Sequence, residues 1–119
     1  MKVNEFPSFP NTANLTRGIR VKMSGGVLAA AGATEDELGT IADEVQTTDG
    51  YATVVPFNFS GVKEMVCSAA VTQYATVFAA ASGKVAATGT LRRGIALQAG
   101  SADGAIIPVL VQGGSAAIT

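Results

Sequence analysis

The chain of 119 residues contains no histidine, no tryptophan and only one cysteine. Without histidine it lacks the most common general base, the most common metal ligand and the proton carrier of histidine-dependent triads. The lone Cys67 cannot form an intramolecular disulfide or a structural zinc site. Beside Met65, Val66 and Ala69 it is predicted to be a small buried apolar residue. We therefore expect neither an enzyme nor a metal or cofactor site.

Aromatic residues are also scarce, at 6% of the chain, and charged residues make up only 14%, with a net charge of −1. The core is thus expected to be thin and aliphatic, and to be completed by association with a partner. Arg92 and Arg93 are the only adjacent cations, so nucleic-acid binding is not expected. No apolar run is long enough for a membrane span or a signal peptide.

Residues 1–16 differ in character from the rest of the chain, because residues 6–10 alternate aromatic residues with prolines (Phe-Pro-Ser-Phe-Pro). Proline removes a backbone donor and keeps the preceding residue extended, which excludes a helix or a central strand. We predict an extended N-terminal arm. A disordered terminus is one interpretation; a docking arm is the other, favoured because two of the five phenylalanines lie here.

The remaining chain alternates short β-type segments with turns. Over residues 17–23, Ile19, Val21 and Met23 share one predicted strand face, with Arg20 and Lys22 on the other. The acidic run 35–37 is expected to be a solvated loop, because its spacing matches no calcium loop. Residues 68–82 fit either an alanine-rich helix or a turn followed by a strand over 74–80. Their β-branched and aromatic content favours the strand.

Two apolar runs near the C-terminus, residues 94–97 and 105–111, flank a turn rich in glycine, serine and aspartate, which predicts a closing hairpin. Pro108 within the second run indicates an edge strand or a bulge. The predicted fold is all-β: a small β-barrel or sandwich of short antiparallel strands, with at most one short helix. The arm would occupy residues 1–16, the β domain 17–112 and a loose tail 113–119.

The order of these segments resembles the capsid cement, or head decoration, proteins of tailed bacteriophages. The resemblance is best over residues 94–111 and 71–88, and more loosely covers residues 17–112. It implies a structural virion protein, made in the host cytoplasm, that binds the outer surface of an icosahedral capsid. Such a protein clamps neighbouring subunits of the major capsid protein, commonly as a homotrimer at three-fold or quasi-three-fold positions.

Candidate capsid contacts lie in the predicted arm and at the arginine pair: Phe6, Pro7, Phe9, Pro10, Leu15, Arg92 and Arg93. For the two arginines, solvated strand-edge charges are the alternative interpretation. Two other functions stay open. One is a ligand- or carbohydrate-binding β module on the virion surface, for which Tyr51, Tyr74 and the phenylalanines are the available aromatic platforms. The other is a different virion part, such as a tail or head-completion protein.

Overall fold

The computed structural model describes residues 8–13, 15–35, 37–42, 50–56 and 61–111, and these form two antiparallel five-stranded sheets. The first sheet has the order β1-β5-β4-β2-β3 and the second the order β6-β10-β9-β7-β8. The sheets pack as a sandwich and do not close into a barrel. The all-β prediction is confirmed, with the sandwich as the form that it takes.

The first sheet contains the N-terminal half of the fold: β1 (Ser8–Pro10), β2 (Arg20–Ser24), β3 (Val27–Ala30), β4 (Gly39–Ile41) and β5 (Tyr51–Pro56). The second contains β6 (Gly61–Val66), β7 (Thr76–Ala79), β8 (Val85–Ala86), β9 (Arg92–Ala96) and β10 (Ile106–Val111). A 3₁₀ turn, Ala81–Gly83, connects β7 to β8. Residues 68–82 thus contain the predicted strand and not a long helix.

The β2–β3 hairpin shows how turn residues set these strands. Ser24 pairs with Val27 across a two-residue loop, and Gly25 and Gly26 take φ values of 60° and 85°. A hairpin loop of this length needs positive φ at both positions, which glycine adopts without steric cost. The two glycines therefore fix the register of β2 against β3.

Buried apolar side chains form two clusters. One belongs to the second sheet and comprises Met65, Cys67, Val71, Val77, Val85, Ala96, Ile107, Val109 and Val111. The other belongs mainly to the first sheet and takes Val66 from the second: Ile19, Val21, Leu28, Ile41, Ala52, Val54 and Val66. Both clusters are aliphatic, as expected, and the burial predicted for Cys67 is confirmed because its side chain is fully buried.

Strand β10 is central in the second sheet, between β6 and β9, so the prediction of an edge strand or bulge from Pro108 is wrong. Proline lacks a backbone N–H, and the carbonyl of Pro108 accepts a hydrogen bond from Leu97 at 2.9 Å. In an extended strand the nitrogen of a residue points the same way as its carbonyl, so Leu97 O receives no bond from Pro108. The Gln73 side chain donates to Leu97 O instead, at 3.1 Å.

Candidate functional site

The predicted arm is part of the domain over the residues that the structure describes. Strand β1 pairs antiparallel with β5, with Phe9 opposite Ala52 and Pro10 opposite Tyr51. Phe9 and Leu15 both pack against the first-sheet cluster. Phe9 and Pro10 therefore belong to a strand of the first sheet, and Phe9 and Leu15 contribute to its core.

Asn11 fixes the chain between β1 and β2. Its side chain is fully buried and forms two hydrogen bonds with the backbone of Leu15, at 2.9 and 3.0 Å. Its own N–H donates to Gly50 O at 2.7 Å. Phe6 and Pro7, the remaining predicted contacts of the arm, lie outside the described residues.

The arginine pair separates into two different environments. Arg93 has a side chain only 9% exposed and donates to Glu37 Oε1 at 2.6 Å. The alternative interpretation of Arg93 as a solvated strand-edge charge is therefore wrong, whereas its role as a capsid contact stays a prediction. Arg92 is half-buried, and its Nε atom is buried without a hydrogen-bond partner. Among the described residues no ion pair involves the Arg92 side chain.

Glu37 also binds Arg20, which produces a charged cluster between the sheets. The Arg20 side chain is fully buried, and its Nη1 lies 3.4 Å from Glu37 Oε1. Its remaining N–H groups donate to the carbonyls of Lys84 at 3.0 Å, Ala80 at 2.6 Å, and Ala31 and Gly32 at 3.3 Å. Burial lowers the pKa of Arg20, because desolvation outweighs the attraction of Glu37. Glu37 was expected in a solvated loop, and its burial shows that this prediction is wrong for Glu37.

Lys63 lies close enough to this cluster to sense its charges. It is 4% exposed and donates to Pro56 O at 2.7 Å. Burial lowers its pKa to about 8, partly offset by attraction to Glu37. A cavity of about 180 Å³ lies beside Lys63, between β4, β5 and β6.

Partly exposed aliphatic side chains lie on one face of the second sheet, on both sides of the Glu64–Pro108 pair. Val62 on β6 and Leu110 on β10 are cross-strand partners, and Leu110 also pairs with Ile95 on β9. Ile106 lies on the same face of β10 as Leu110, because side chains alternate along a strand. Val62, Ile106 and Leu110 are 54%, 39% and 37% exposed. We call Val62, Ile95, Ile106 and Leu110 the aliphatic patch.

Tyr74 is the most exposed of the large apolar side chains in the described part of the chain, at 68%. Its backbone has a φ of 69°, in the left-handed region that costs an ordinary residue about 1–2 kcal/mol. Nothing in the sequence distinguishes it from Tyr51, because side-chain patterns do not report a positive φ at a tyrosine. Turn chemistry predicts glycine or asparagine at such a position.

Comparison with known proteins assigns no family: no protein-family model matches the chain, and no curated protein is similar to it in sequence. Within the described ranges, no helix is long and apolar enough to cross a membrane. The same residues contain no group of three or more histidine, cysteine, aspartate or glutamate side chains placed to hold a metal ion. The function therefore has to be argued from the surfaces described above.

Proposed function

We propose that this protein is a capsid decoration protein that binds the outside of an icosahedral phage shell and clamps neighbouring capsid subunits. The aliphatic patch carries the proposal, because three of its four residues, Ile95, Ile106 and Leu110, lie on the β9–β10 hairpin in which the family resemblance is strongest. Exposed apolar side chains grouped on one sheet face are typical of protein–protein contact, and the only charge between them, Glu64, is paired with Arg17. The patch supplies the apolar centre that such an interface needs.

Arg92 is the polar contact that we assign to the same interface. Arginine is enriched in protein interfaces and binds carboxylates through charge-assisted hydrogen bonds. The other described arginines are already paired, Arg17 with Glu64 and both Arg20 and Arg93 with Glu37. Arg92 is therefore the one we assign to an acidic loop of the capsid protein.

Residues 1–7 keep the docking role first expected for the whole arm. They directly precede β1, which forms one edge of the first sheet. A segment entering at a sheet edge can pair with an exposed strand of a partner, and Pro7 lowers the entropy lost on docking. Phe6 and Pro7 stay candidate capsid contacts, whereas Phe9, Pro10 and Leu15 act by holding β1 in place.

Clamping follows from multivalency. In a homotrimer each protomer would present one aliphatic patch and one N-terminal segment to a different capsid subunit. Once the first contact forms, the next becomes intramolecular, and avidity exceeds single-site affinity by about 10²–10⁴-fold. Weak individual contacts are then sufficient to hold neighbouring subunits together against internal pressure.

The proposal is tested by co-sedimentation of the purified protein with expanded, undecorated shells of the same phage. Leu110→Glu places a charge in the patch, and Leu38→Glu is its matched control, since Leu38 is 38% exposed outside the patch. We expect Leu110→Glu, Arg92→Glu and removal of residues 1–7 each to weaken binding about tenfold or more. Leu38→Glu should bind as the parent does.

Circular dichroism establishes that each variant keeps its β structure before binding is compared. The proposal is contradicted if the parent protein does not sediment with the shells. A loss of binding that is equal in Leu110→Glu and Leu38→Glu would remove the patch from the interface.

A further inference from the structure

Tyr74 occupies the third position of a four-residue turn, Thr72 to Ala75, closed by a hydrogen bond from Ala75 N–H to Thr72 O at 3.2 Å. With a φ of 69°, this position favours glycine or asparagine, whose side chains tolerate the left-handed region. A tyrosine at this position adopts an unfavourable backbone conformation, which lowers the stability of the fold. Such outliers persist where the surrounding structure fixes them, and they cluster at functional sites.

The turn is fixed from two sides. Tyr74 N–H donates to Ala96 O at 2.7 Å, and Ala96 N–H donates to Ala75 O at 2.9 Å. The Gln73 side chain bonds Leu97 O at 3.1 Å. The backbone that carries the ring is therefore anchored to β9 and the residue after it, and a fixed backbone lowers the entropy cost of binding.

Burial of the Tyr74 ring stabilises the fold only slightly, because 68% of the residue is exposed. The chain has two tyrosines and no tryptophan, so this is a large share of its scarce aromatic surface. Tyr74 therefore departs from the usual preferences of folded chains in two ways: its backbone has a positive φ, and its aromatic ring is exposed to solvent. Departures of this kind are expected at sites selected for binding.

The two chain segments that meet at the Tyr74 turn carry almost no charge. Residues 68–75 and 97–105 run side by side, joined by two backbone hydrogen bonds between Val71 and Gly100, at 2.8 and 2.9 Å. The only charged residue in these two segments is Asp103, which is paired with Lys84 at 2.7 Å. Besides Asp103, the exposed polar side chains of these segments are the hydroxyls and amides of Thr72, Gln73, Gln98 and Ser101, and four exposed alanines lie among them.

We propose that Tyr74 is the platform of a binding site for uncharged carbohydrate. The apolar C–H face of a pyranose ring packs on an aromatic face, and sugar hydroxyls need neutral donors and acceptors, which amide and hydroxyl side chains provide. Charged ligands are not favoured because the two segments offer them no unpaired charge. The proposed carbohydrate site does not depend on the proposed capsid role.

The test is an array of uncharged glycans ending in glucose, galactose, mannose or N-acetylglucosamine, probed with the full chain. Glycans that bind are then titrated while tyrosine fluorescence is recorded. Since the chain has no tryptophan and two tyrosines, Tyr51→Phe leaves Tyr74 as the only strong fluorophore. We expect a saturable change in Tyr51→Phe with the parent affinity, and a loss of about tenfold or more in Tyr74→Asn.

Tyr74→Asn separates binding from folding, because asparagine tolerates positive φ and the variant should melt no lower than the parent. Tyr74→Trp should retain binding. The proposal is overturned if no uncharged glycan binds, or if Tyr74→Asn binds as the parent does. If Tyr74→Asn instead loses binding to capsid shells while no glycan binds, the ring is a protein contact and the carbohydrate site is wrong.

Discussion

At the scale of single residues, Glu37 accepts hydrogen bonds from Arg20 of β2 and Arg93 of β9, so one carboxylate joins both sheets. The carboxylate side chain is 2% exposed. Removing one partner of a buried ion pair is strongly destabilising, because the remaining charges stay buried without compensation. Glu37 is therefore expected to be among the most sensitive polar positions in the protein.

Glu37→Gln should lower the free energy of unfolding by about 3–5 kcal/mol, because it leaves two buried arginines without their carboxylate. The matched control is Glu35→Gln in the same loop, whose pair with Lys22 is 44% exposed on the glutamate side. That change should lower stability far less, because solvent screens an exposed ion pair. Urea unfolding of both variants measures the difference. Equal losses would contradict the structural role of Glu37.

The lowered pKa of Lys63 makes the stability of the protein depend on pH. Burial lowers its pKa from 10.5 to about 8, so between these values the unfolded chain binds more protons than the folded one. Stability contributed by this group therefore rises as the pH increases from about 8 to about 10.5, by up to about 3 kcal/mol.

Lys63→Met should be more stable than the parent at pH 7 and should lose this rise. Urea unfolding from pH 7 to 10 compares the two proteins, and their difference cancels the opposite contribution of Cys67, whose pKa is raised by burial. A parallel pH dependence in both would contradict the lowered pKa of Lys63.

The environment of a residue could be predicted from the sequence where it depends only on that residue and its neighbours in the chain. The burial of Cys67 follows from its apolar neighbours. The Arg20–Glu37–Arg93 cluster could not be predicted, because alternation assigns a side chain to a strand face without revealing what covers that face. Arg20 and Glu37 are 17 positions apart and Arg93 belongs to the other sheet, so their pairing requires the tertiary fold.

At the scale of elements, β10 shows how a proline is accommodated in a central strand. Pro108 provides no N–H to Leu97 O, and the Gln73 side chain takes that bond at 3.1 Å. One side chain from the turn before β7 thus completes the β9–β10 ladder. The same bond anchors the turn that carries Tyr74.

Gln73→Ala should cost about 1 kcal/mol in the parent, because Leu97 O loses its donor. In a Pro108→Ala background the new backbone N–H at position 108 bonds Leu97 O, and Gln73→Ala should then cost close to nothing. A double-mutant cycle by urea unfolding measures the coupling. Gln98→Ala, an exposed neighbour, should show no coupling with position 108. If the two substitutions changed the free energy of unfolding additively, the Gln73 side chain would not be replacing the backbone N–H that Pro108 lacks.

Strand positions were predictable because apolar runs and turn glycines are local signals, as in the β2–β3 and β9–β10 hairpins. The order of strands in the sheets was not, since it depends on long-range pairing. For this reason Pro108 was wrongly placed at an edge. The part of the predicted arm from Ser8 to Pro10 was likewise not recognised as a strand, although its pairing with β5 satisfies the extended geometry that its prolines require.

At the scale of the whole molecule, two thin aliphatic clusters are joined by a buried charged cluster, and one face of the second sheet keeps apolar side chains partly exposed to solvent. A small core supplies limited stability, and binding to a partner adds to it by mass action. The proposed capsid role accounts for both features, because the aliphatic patch and Arg92 would be covered on the shell.

The most direct test is a cryo-EM reconstruction of the phage head carrying this protein. The account predicts density for the sandwich on the outer shell at three-fold or quasi-three-fold positions, with Leu110 and Arg92 turned toward the capsid protein. Density located in the tail or absent from the head would contradict the proposed function. A decorating protein with β6 and β10 facing solvent would contradict the assigned surface.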